Sequence, residues 1–354
     1  MFGSRPTGLG IYAAGLIGIT EKFNSKLISS DRSIVEPEYL IESPKSIELG
    51  SGRLAPVLRQ LWLRGLKFDP TDLVYAPTHH AVNHHNQIIT IHDLISLRFP
   101  SQHYSQYLYF KYRIPEILKR CIAVFTVSET TRHDISTAYN YPIDKIHVVP
   151  NSIDRRAFSA SKALDTDPYL LMVGARYSHK NVDEVLSLAD LWRSRYKLIV
   201  TSCGGKYRKH LENRVSALNL SDRVFFLDYL DRQALIGLYK GSAALVYPSK
   251  WEGFGIPPLE SLACGRPVIV SDIPAHREVL GNSAFFIKPG NKESWKNALV
   301  SIEDDEAVLE KLSVGETRLS TYTNENAILA LETSLLRAAP DLERRSNKSE
   351  ADKI

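Results

Sequence analysis

The sequence has few cysteines, no long apolar run and little excess charge, and each shortage excludes a class of protein. Its three cysteines, Cys121, Cys203 and Cys264, are far apart in 354 residues. This spacing disfavours a disulfide framework and a cysteine zinc site, and it fits a reducing cytoplasm. No run of about 18 apolar residues occurs, so we expect no transmembrane helix. The net charge of +4 is too small to indicate a nucleic-acid-binding protein.

The N-terminal residues do not have the pattern of a secretory signal peptide. Arg5 is followed by glycines, and the apolar segment that begins at Leu9 is interrupted by Gly10, Gly15 and Gly18. We therefore expect no signal peptide, and we interpret this segment as a glycine-rich loop followed by a buried helix.

Short apolar segments alternate with helix-length amphipathic segments along the whole chain. The predicted strands are Leu73–Ala76, Gln87–Ile91, Ala123–Val127, Ile146–Val149, Tyr169–Val173, Lys197–Thr201, Val224–Leu227, Ala244–Tyr247 and Pro267–Val270. Helices are predicted between them, for example at Val182–Arg195, Tyr207–Leu218, Asp231–Gly241 and Ser294–Ser301. The alternation predicts an α/β protein with parallel sheets covered by helices on both faces.

The length is too great for one core, and the pattern restarts near residue 165. We expect an N-terminal domain over residues 1–158 and a C-terminal domain over residues 159–322. A helix over residues 323–340 and a charged tail over residues 341–354 complete the prediction.

The densest chemical signal follows the strand that ends near Tyr247. A loop with Gly253 and Gly255 comes next, and two prolines open the following helix. A strand, a glycine loop and a helix in this order expose backbone N–H groups and a positive helix end, which suits a phosphate.

Two glutamates lie in this segment, Glu252 in the loop and Glu260 in the helix. A bound anion would repel both, so hydrogen bonds from sugar hydroxyls explain them better. The alternative is that Glu252 is solvated and Glu260 only favours the helix dipole.

The segment resembles the E-x7-E signature of the retaining glycosyltransferases of family 4, with Glu252 and Glu260 at the two signature positions. The neighbouring Pro-Ser and Gly-Phe-Gly, and the later Ser271-Asp272 and Glu278-Val279, also match. The resemblance weakens gradually from this segment but extends over about residues 7–289. It implies the GT-B fold, in which two Rossmann-like doubly wound domains face each other across a cleft. The N-terminal domain would then be the acceptor-side domain, and the C-terminal domain would bind the nucleotide sugar. The resemblance also implies that the helix over residues 323–340 crosses back to the N-terminal domain.

The resemblance also implies roles for the residues of this motif. Glu252 would contact hydroxyls of the donor sugar, and Glu260 would contact the nucleotide ribose. The backbone of Gly253, Phe254, Gly255 and Ile256 would meet the diphosphate and the sugar.

A second signal follows the strand that ends at Gly174, where Arg176 and Lys180 lie in one loop. The leaving group of a nucleoside diphosphate sugar is anionic, so fixed cations or a metal must stabilise it. The two residues resemble the family's Arg/Lys pair for this role, and no metal or other cofactor is then required. The alternative is a solvated loop with scattered basic residues.

A third signal is the strand that ends in His92 and Asp93. Ligands bind at the carboxyl ends of strands in open α/β sheets. His92 resembles the family's N-terminal-domain histidine, which implies that it stabilises the transition state or orients the donor. Asp93 would fix its tautomer or bind the acceptor. The alternative is a structural histidine.

The loop with Gly8 and Gly10 resembles the family's first loop, which approaches the donor phosphates and the acceptor. The family has an apolar strand before this loop, and here it is missing or very short, which indicates an upstream start or a truncated chain. Tyr229 is expected near the nucleotide base.

Several patterns leave two interpretations open. His79, His80, His84 and His85 indicate an acceptor-side loop, with a metal site as the alternative. Asp165-Thr-Asp167 resembles a metal-binding D-x-D but lies in the linker, so we interpret it as a polar connector. Residues 104–120 interleave aromatic and basic residues, which suits either a membrane interface or a packed helix with exposed cations.

Together these signals predict a cytoplasmic retaining glycosyltransferase, with possible peripheral contact at the inner face of the membrane. It would move a hexose from a nucleoside diphosphate sugar, with mannose from GDP-mannose as the favoured case. The acceptor is expected to be a glycan or a lipid-linked glycan of polysaccharide or lipopolysaccharide synthesis, as in the bacterial mannosyltransferases that the loops resemble. The rivals are a sugar-nucleotide epimerase of GT-B fold and a non-catalytic glycan-binding protein on the same fold.

Overall fold

A computed structural model describes residues 8–23, 25–29, 40–47, 54–159 and 167–342. Two compact units divide the chain. The first comprises residues 1–97, 105–152 and 324–354, and the second comprises residues 98–104 and 153–323. Searched over the described residues, the helices include none that has the length and apolarity to cross a membrane.

Helices and strands alternate through most of the described chain. The strands are β1 Leu27–Ser29, β2 Leu40–Glu42, β3 Val74–Ala76, β4 Gln87–Ile91, β5 Cys121–Thr126, β6 Ile146–Val148, β7 Tyr169–Met172, β8 Lys197–Thr201, β9 Val224–Leu227, β10 Ala244–Tyr247, β11 Val268–Ser271 and β12 Phe285–Ile287. The α-helices are α1 Gly8–Gly15, α2 Ala55–Gly65, α3 Ile95–Arg98, α4 Tyr104–Leu108, α5 Ile114–Leu118, α6 Glu129–Tyr139, α7 Arg155–Ser159, α8 Val182–Ser187, α9 Ala189–Trp192, α10 Gly205–Ala217, α11 Arg232–Gly241, α12 Ile256–Ala263, α13 Pro274–Leu280, α14 Lys292–Ser301, α15 Asp305–Thr321 and α16 Asn324–Ala338. A π-helical turn, Tyr109–Arg113, joins α4 to α5.

The second unit contains a six-stranded parallel sheet in the order β12-β11-β10-β7-β8-β9. Strands β7, β10 and β11 are buried along their whole length, as central strands covered on both faces should be. The indoles of Trp192 and Trp295 are fully buried in the core around this sheet. The strand order reverses between β7 and β10, and this switch point is where doubly wound sheets bind ligands.

The first unit contains a four-stranded parallel sheet in the order β3-β4-β5-β6 and a separate parallel pair, β1-β2. Strand β4 is buried throughout. The hydrophobic core of the first unit includes Phe110, Ile114 and Ile135 from the covering helical segments. Helix α16 packs against β5 and β6 of the same unit.

All nine predicted strands are present, four of them with the predicted ends, because most are short, continuous apolar segments. Strands β1, β2 and β12, each three residues long, were not predicted. The predicted helix Val182–Arg195 is two short helices, α8 and α9, separated at Leu188.

The predicted glycine loop at Gly8 and Gly10 is wrong for the described residues, because both glycines belong to α1. Neither has a positive φ, so their conformational freedom is not used. Tyr12 and Ala13 of this helix are buried, and this burial together with the helix-favouring alanines explains the helix.

Some predictions concern residues outside the described ranges. These are the first strand before residue 8, the linker residues 160–166 with Asp165 of the D-x-D pattern, and the tail from residue 343. Asp167 is described, and its carboxylate lies 2.6 Å from the Nζ of Lys197.

Candidate active site

The loops after β7 and β10 bring Lys180 and Glu252 together at the switch point of the second unit. The Nζ of Lys180 donates to Oε1 of Glu252 at 2.5 Å and to the hydroxyl of Tyr247 at 2.8 Å. The Lys180 side chain is 16% exposed and that of Glu252 is 8% exposed. The alternative of a solvated Glu252 is therefore wrong.

Electrostatics keep both members of this pair charged. Burial by itself raises the pKa of Glu252, but the Lys180 ammonium more than offsets burial and the pKa lies below its ordinary value. Burial by itself lowers the pKa of Lys180, but Glu252 and Tyr247 raise it above the ordinary value. At neutral pH the site therefore contains a cation and a carboxylate side by side.

Glu260 lies on α12, and its Oε2 accepts a hydrogen bond of 2.7 Å from the hydroxyl of Tyr239 on α11. Burial raises the pKa of Glu260. It is the fifth residue of α12, beyond the first turn, which argues against a helix-dipole role. Burial and Glu260 raise the pKa of Tyr239, and the nearby Tyr247 phenol raises it further, so the two glutamates belong to one cluster of polar groups.

Gly255 is required by its backbone conformation, with φ of +97° immediately before α12. A Cβ atom there would lie 3.4 Å from Cδ2 of His276 on α13. Gly253 and Phe254 are buried, and the Phe254 ring packs edge-on against Tyr322 at 5.1 Å. The Phe254 side chain is thus a packing residue, which leaves only its backbone for the predicted contact.

His276 was missed by the sequence analysis, which singled out its neighbours but not this residue. It is fully buried, and its Nδ1 lies 2.8 Å from the carbonyl oxygen of Ser271, which makes Nδ1 the protonated nitrogen. Its Nε2 has no hydrogen-bond partner among the described residues. Burial lowers the pKa of His276 to about 4, so a neutral acceptor nitrogen lies beside Gly255 at neutral pH.

The sequence predicts that Arg176 and Lys180 act as a pair, but Arg176 lies outside the cluster formed by Lys180, Glu252 and Tyr247. Its guanidinium is exposed, lies 5.8 Å from the ring centroid of Tyr177, and forms no ion pair within the described part of the chain. Gly174, two residues after the end of β7, has φ of +71°. The two loop cations therefore have different surroundings.

Residues 98–104 belong to the second unit, which nothing in their sequence indicated. Phe99 stacks on the His179 ring at 5.5 Å, and Oε1 of Gln102 accepts from the backbone N–H of His179 at 3.2 Å. The guanidinium of Arg98 lies 3.5 Å above the Trp251 ring. This segment therefore supports both loops that carry Lys180 and Glu252.

In the first unit, His92 directly follows β4, so the strand carries it to its carboxyl end as predicted. Its Nε2 lies 3.0 Å from the carbonyl oxygen of Pro77, and its ring meets Tyr12 edge-on at 4.6 Å. Burial lowers the pKa of His92 to about 4, so the imidazole is neutral with Nδ1 as the acceptor. The Pro77 carbonyl sets this tautomer, whereas Asp93 accepts from the backbone N–H of Ile95.

The other predicted positions lie in varied surroundings. Rings of His79 and His80 stack at 4.6 Å, and Nε2 of His84 bonds the carbonyl of Asp72. Among the described residues, no group of three or more His, Cys, Asp or Glu side chains could hold a metal ion. Tyr229 is 49% exposed in the loop after β9.

The segment 104–120 has both buried packing residues and exposed aromatic and basic residues, so neither of the two interpretations of its sequence is excluded. Phe110 and Ile114 are buried in the core of the first unit, whereas Tyr104 and Tyr112 are 66% and 60% exposed. The Nζ of Lys111 donates to the Tyr107 hydroxyl at 2.9 Å.

Comparisons with known proteins agree with this architecture. The profile of the family "Glycosyl transferases group 1" matches residues 154–317, and that of "Glycosyltransferase Family 4" matches residues 29–156. The O-antigen chain mannosyltransferase RfbU of Salmonella typhimurium is 39% identical over 239 residues, which are 67% of this chain and 67% of the relative. The O-antigen chain mannosyltransferase B of Escherichia coli is 28% identical over 306 residues, covering 81% of this chain and 78% of that protein.

Solved structures share the fold at low sequence identity. The Anabaena protein HepE, solved with UDP and glucose, has a TM-score of 0.68 at 15% identity and covers 95% of this chain and 97% of its own. A glycosyltransferase from Rickettsia africae has a TM-score of 0.64 at 15% identity and covers 94% of this chain and 96% of its own. The predicted GT-B fold is therefore confirmed.

Proposed function

The chain belongs to the family 4 glycosyltransferases, and from this premise we propose that it transfers mannose from GDP-mannose to a glycan or lipid-linked glycan acceptor with retention of the anomeric configuration. The family alone makes it a hexosyltransferase. The choice of mannose and of polysaccharide or lipopolysaccharide synthesis is supported by the mannosyltransferases RfbU and B, which act on O-antigen chains.

The observation that carries the proposal is the buried ion pair of Lys180 and Glu252 at the switch point of the second unit. We propose that Lys180 neutralises the diphosphate as the bond to the sugar breaks, since its charge is fixed and largely shielded from water. Arg176, which is exposed, would approach the same leaving group from solvent. With two cations in this role, transfer needs no metal, and chelators should leave the rate unchanged.

Glu252 and Glu260 have different proposed partners in the donor. Glu252, already held by the Lys180 ammonium, would accept hydrogen bonds from the mannose hydroxyls. Glu260, held by Tyr239, would accept from the ribose hydroxyls, and the exposed Tyr229 would lie near the base. The backbone of Gly253, Gly255 and Ile256 would meet the diphosphate, since the N-terminus of α12 favours an anion.

The residues of the first unit complete the proposal. His92 is neutral at pH 7, with its Nδ1 available as an acceptor, so it would orient the donor and stabilise positive charge that develops on the sugar. In retention without an enzyme nucleophile, the departing phosphate takes the proton of the acceptor hydroxyl. Asp93 and Gly10 would act on the acceptor side, and Gly8 and Gly174 near the donor.

The test is a screen of nucleotide sugars for stabilisation of the protein, followed by transfer assays with the donor that binds. We expect GDP-mannose to bind best and to give an α-linked product by NMR. Turnover should fall by about 100- to 1000-fold in each of Lys180→Met and Glu252→Gln. As matched control, Lys296→Met on the exposed surface of α14 should retain full activity. Formation of an epimerised sugar nucleotide without acceptor, or normal turnover in both variants, would refute the proposal.

A further inference from the structure

Residues 98–104 form a strap of the second unit, although the residues before and after them in the chain belong to the first unit. The strap packs against the turn that follows β7 and carries Lys180. This 3₁₀ turn, Ser178–Lys180, ends at Asn181 with φ of +63°, in the left-handed region that residues other than glycine rarely adopt. Such a backbone persists only where its surroundings fix it, so the turn depends on contacts from outside.

Gln102 of the strap holds His179, the residue before Lys180, through one oxygen atom. Its Oε1 accepts a hydrogen bond of 3.2 Å from the backbone N–H of His179 and one of 3.3 Å from Nδ1 of the same residue. Burial lowers the pKa of His179 to about 4, so at pH 7 the ring is neutral and carries its proton on Nδ1. The two bonds together fix the backbone of His179 and the orientation of its ring.

Aromatic rings confine the same imidazole from the sides. His179 is 3% exposed. Its ring stacks on Phe99 of the strap at 5.5 Å and on Tyr177 at 5.9 Å, with interplanar angles of 22° and 17°. The ring of His103, also in the strap, lies 5.7 Å away. A ring confined in this way has one orientation, and the main chain attached to it is confined as well.

His179 is also bonded to the loop that carries Glu252. Its carbonyl oxygen accepts a hydrogen bond of 2.8 Å from the backbone N–H of Lys250. The next residue, Lys180, donates to Oε1 of Glu252 at 2.5 Å. One main-chain bond and one ion pair therefore join the two loops, and Gln102 holds the N–H of the residue that makes the main-chain bond. A shift of the His179 backbone would move the start of the Lys180 side chain and, with it, the ammonium.

From these contacts we propose that Gln102 is a positioning residue for the transfer reaction, which acts through His179 to fix the Lys180 ammonium against the departing diphosphate. This inference rests on the proposed role of Lys180. A charge stabilises a transition state best when it is fixed in place before the new charge develops, and a misplacement on the order of 1 Å costs up to about 100-fold in rate.

The experiment measures mannose transfer from radiolabelled GDP-mannose by the full chain. Gln102→Met keeps the length of the side chain and removes the acceptor oxygen, so we expect kcat to fall about 10- to 100-fold. The KM for GDP-mannose should change less than about threefold, because a displaced ammonium still attracts the bound diphosphate. His179→Phe keeps a ring on Phe99 but loses one of the two bonds, and kcat should fall about three- to tenfold. As matched control, Gln106→Met on the exposed surface of α4 should retain full activity.

A double variant separates positioning from a general weakening of the second unit. If Gln102 acts only through Lys180, its replacement has no effect once the ammonium is gone, so Gln102→Met combined with Lys180→Met should turn over as slowly as Lys180→Met alone. Multiplied losses in the double variant, or a rise in KM as large as the fall in kcat, would overturn the inference.

The two proposals fail in different ways. A large loss in Lys180→Met with unchanged kcat in Gln102→Met would refute the positioning role and leave the proposed function in place. Normal turnover in Lys180→Met would refute the proposed role of Lys180 and the positioning role together.

Discussion

Replacing either member of the Lys180–Glu252 pair should destabilise the second unit far more than an exposed substitution does. The two side chains are 16% and 8% exposed and 2.5 Å apart. Removal of one partner leaves a buried charge without compensation, which costs about 3–5 kcal/mol. We therefore expect this loss in the free energy of unfolding for Lys180→Met and for Glu252→Gln.

The double variant should recover most of this stability, because neither buried charge remains. We expect it to lie within about 1–2 kcal/mol of the unsubstituted chain, so the coupling energy between the two positions is about 4 kcal/mol or more. Urea unfolding followed by tryptophan fluorescence measures these values, since Trp192 and Trp295 are fully buried in the core of the second unit.

The same double variant separates stability from catalysis. Its fold is restored but its proposed diphosphate and sugar contacts are gone, so it should remain inactive in transfer. If the loss of unfolding free energy in the double variant equals the sum of the losses in the two single variants, the ion pair is refuted. Recovery of turnover together with stability would refute the proposed roles of both residues.

Three further predictions follow from the same geometry. The free energy of unfolding should fall by about 3 kcal/mol between pH 6.5 and pH 4 through His276 alone. The reason is that folding lowers the pKa of His276 from 6.5 to about 4, so the unfolded chain binds the proton first. In His276→Gln the fall over this pH range should be smaller by this amount, and an unchanged pH dependence would contradict the assignment. Gly255→Ala should lower the free energy of unfolding by about 1–2 kcal/mol and weaken GDP binding, because Gly255 has φ of +97° and its Cβ would contact the His276 ring. Gly65→Ala, whose Cβ would contact no neighbour, should do neither. Equal effects of the two substitutions would argue against a special backbone conformation at Gly255. Tyr239→Phe should weaken GDP binding by about three- to tenfold in calorimetry, because Glu260 loses its hydrogen bond, and unchanged affinity would exclude Glu260 from the ribose site.

The Lys180–Glu252 pair also defines the pH range over which its charges contribute to the stability of the fold. The pKa of Glu252 is lowered, so its contribution to stability is present above the ordinary value of 4.5 and is lost as the pH falls through the lowered pKa. The pKa of Lys180 is raised, so its contribution is present below the ordinary value of 10.5 and is lost only as the pH rises through the raised pKa.

Local patterns were enough to predict much of the second unit. Strands β8, β9 and β10 are continuous apolar runs between turn residues, so the sequence reveals their ends. Lys180 and Glu252 each follow such a strand, and the parallel sheet places both at one edge. Strand β12, which is three residues long, was not predicted.

Contacts between residues far apart in the sequence could not be predicted from local patterns. Gln102 supports the Lys180 loop from a distant part of the sequence, and the Tyr239 hydroxyl reaches Glu260 from another helix. No local periodicity encodes such pairs, because they depend on how the chain folds back on itself. His276 resembles any buried histidine in sequence; only the structure shows its Nε2 next to Gly255 and without a hydrogen-bond partner among the described residues.

The most direct test of the central claim compares calorimetric titrations of GDP and GDP-mannose. Lys180→Met should weaken both ligands, because both carry the diphosphate. Glu252→Gln should bind GDP at least as tightly as the unsubstituted chain, since a negative charge is gone, but should lose the additional affinity that the mannose provides. If Glu252→Gln weakens GDP and GDP-mannose equally, or Lys180→Met weakens neither, the proposed roles of the two residues in donor binding are wrong.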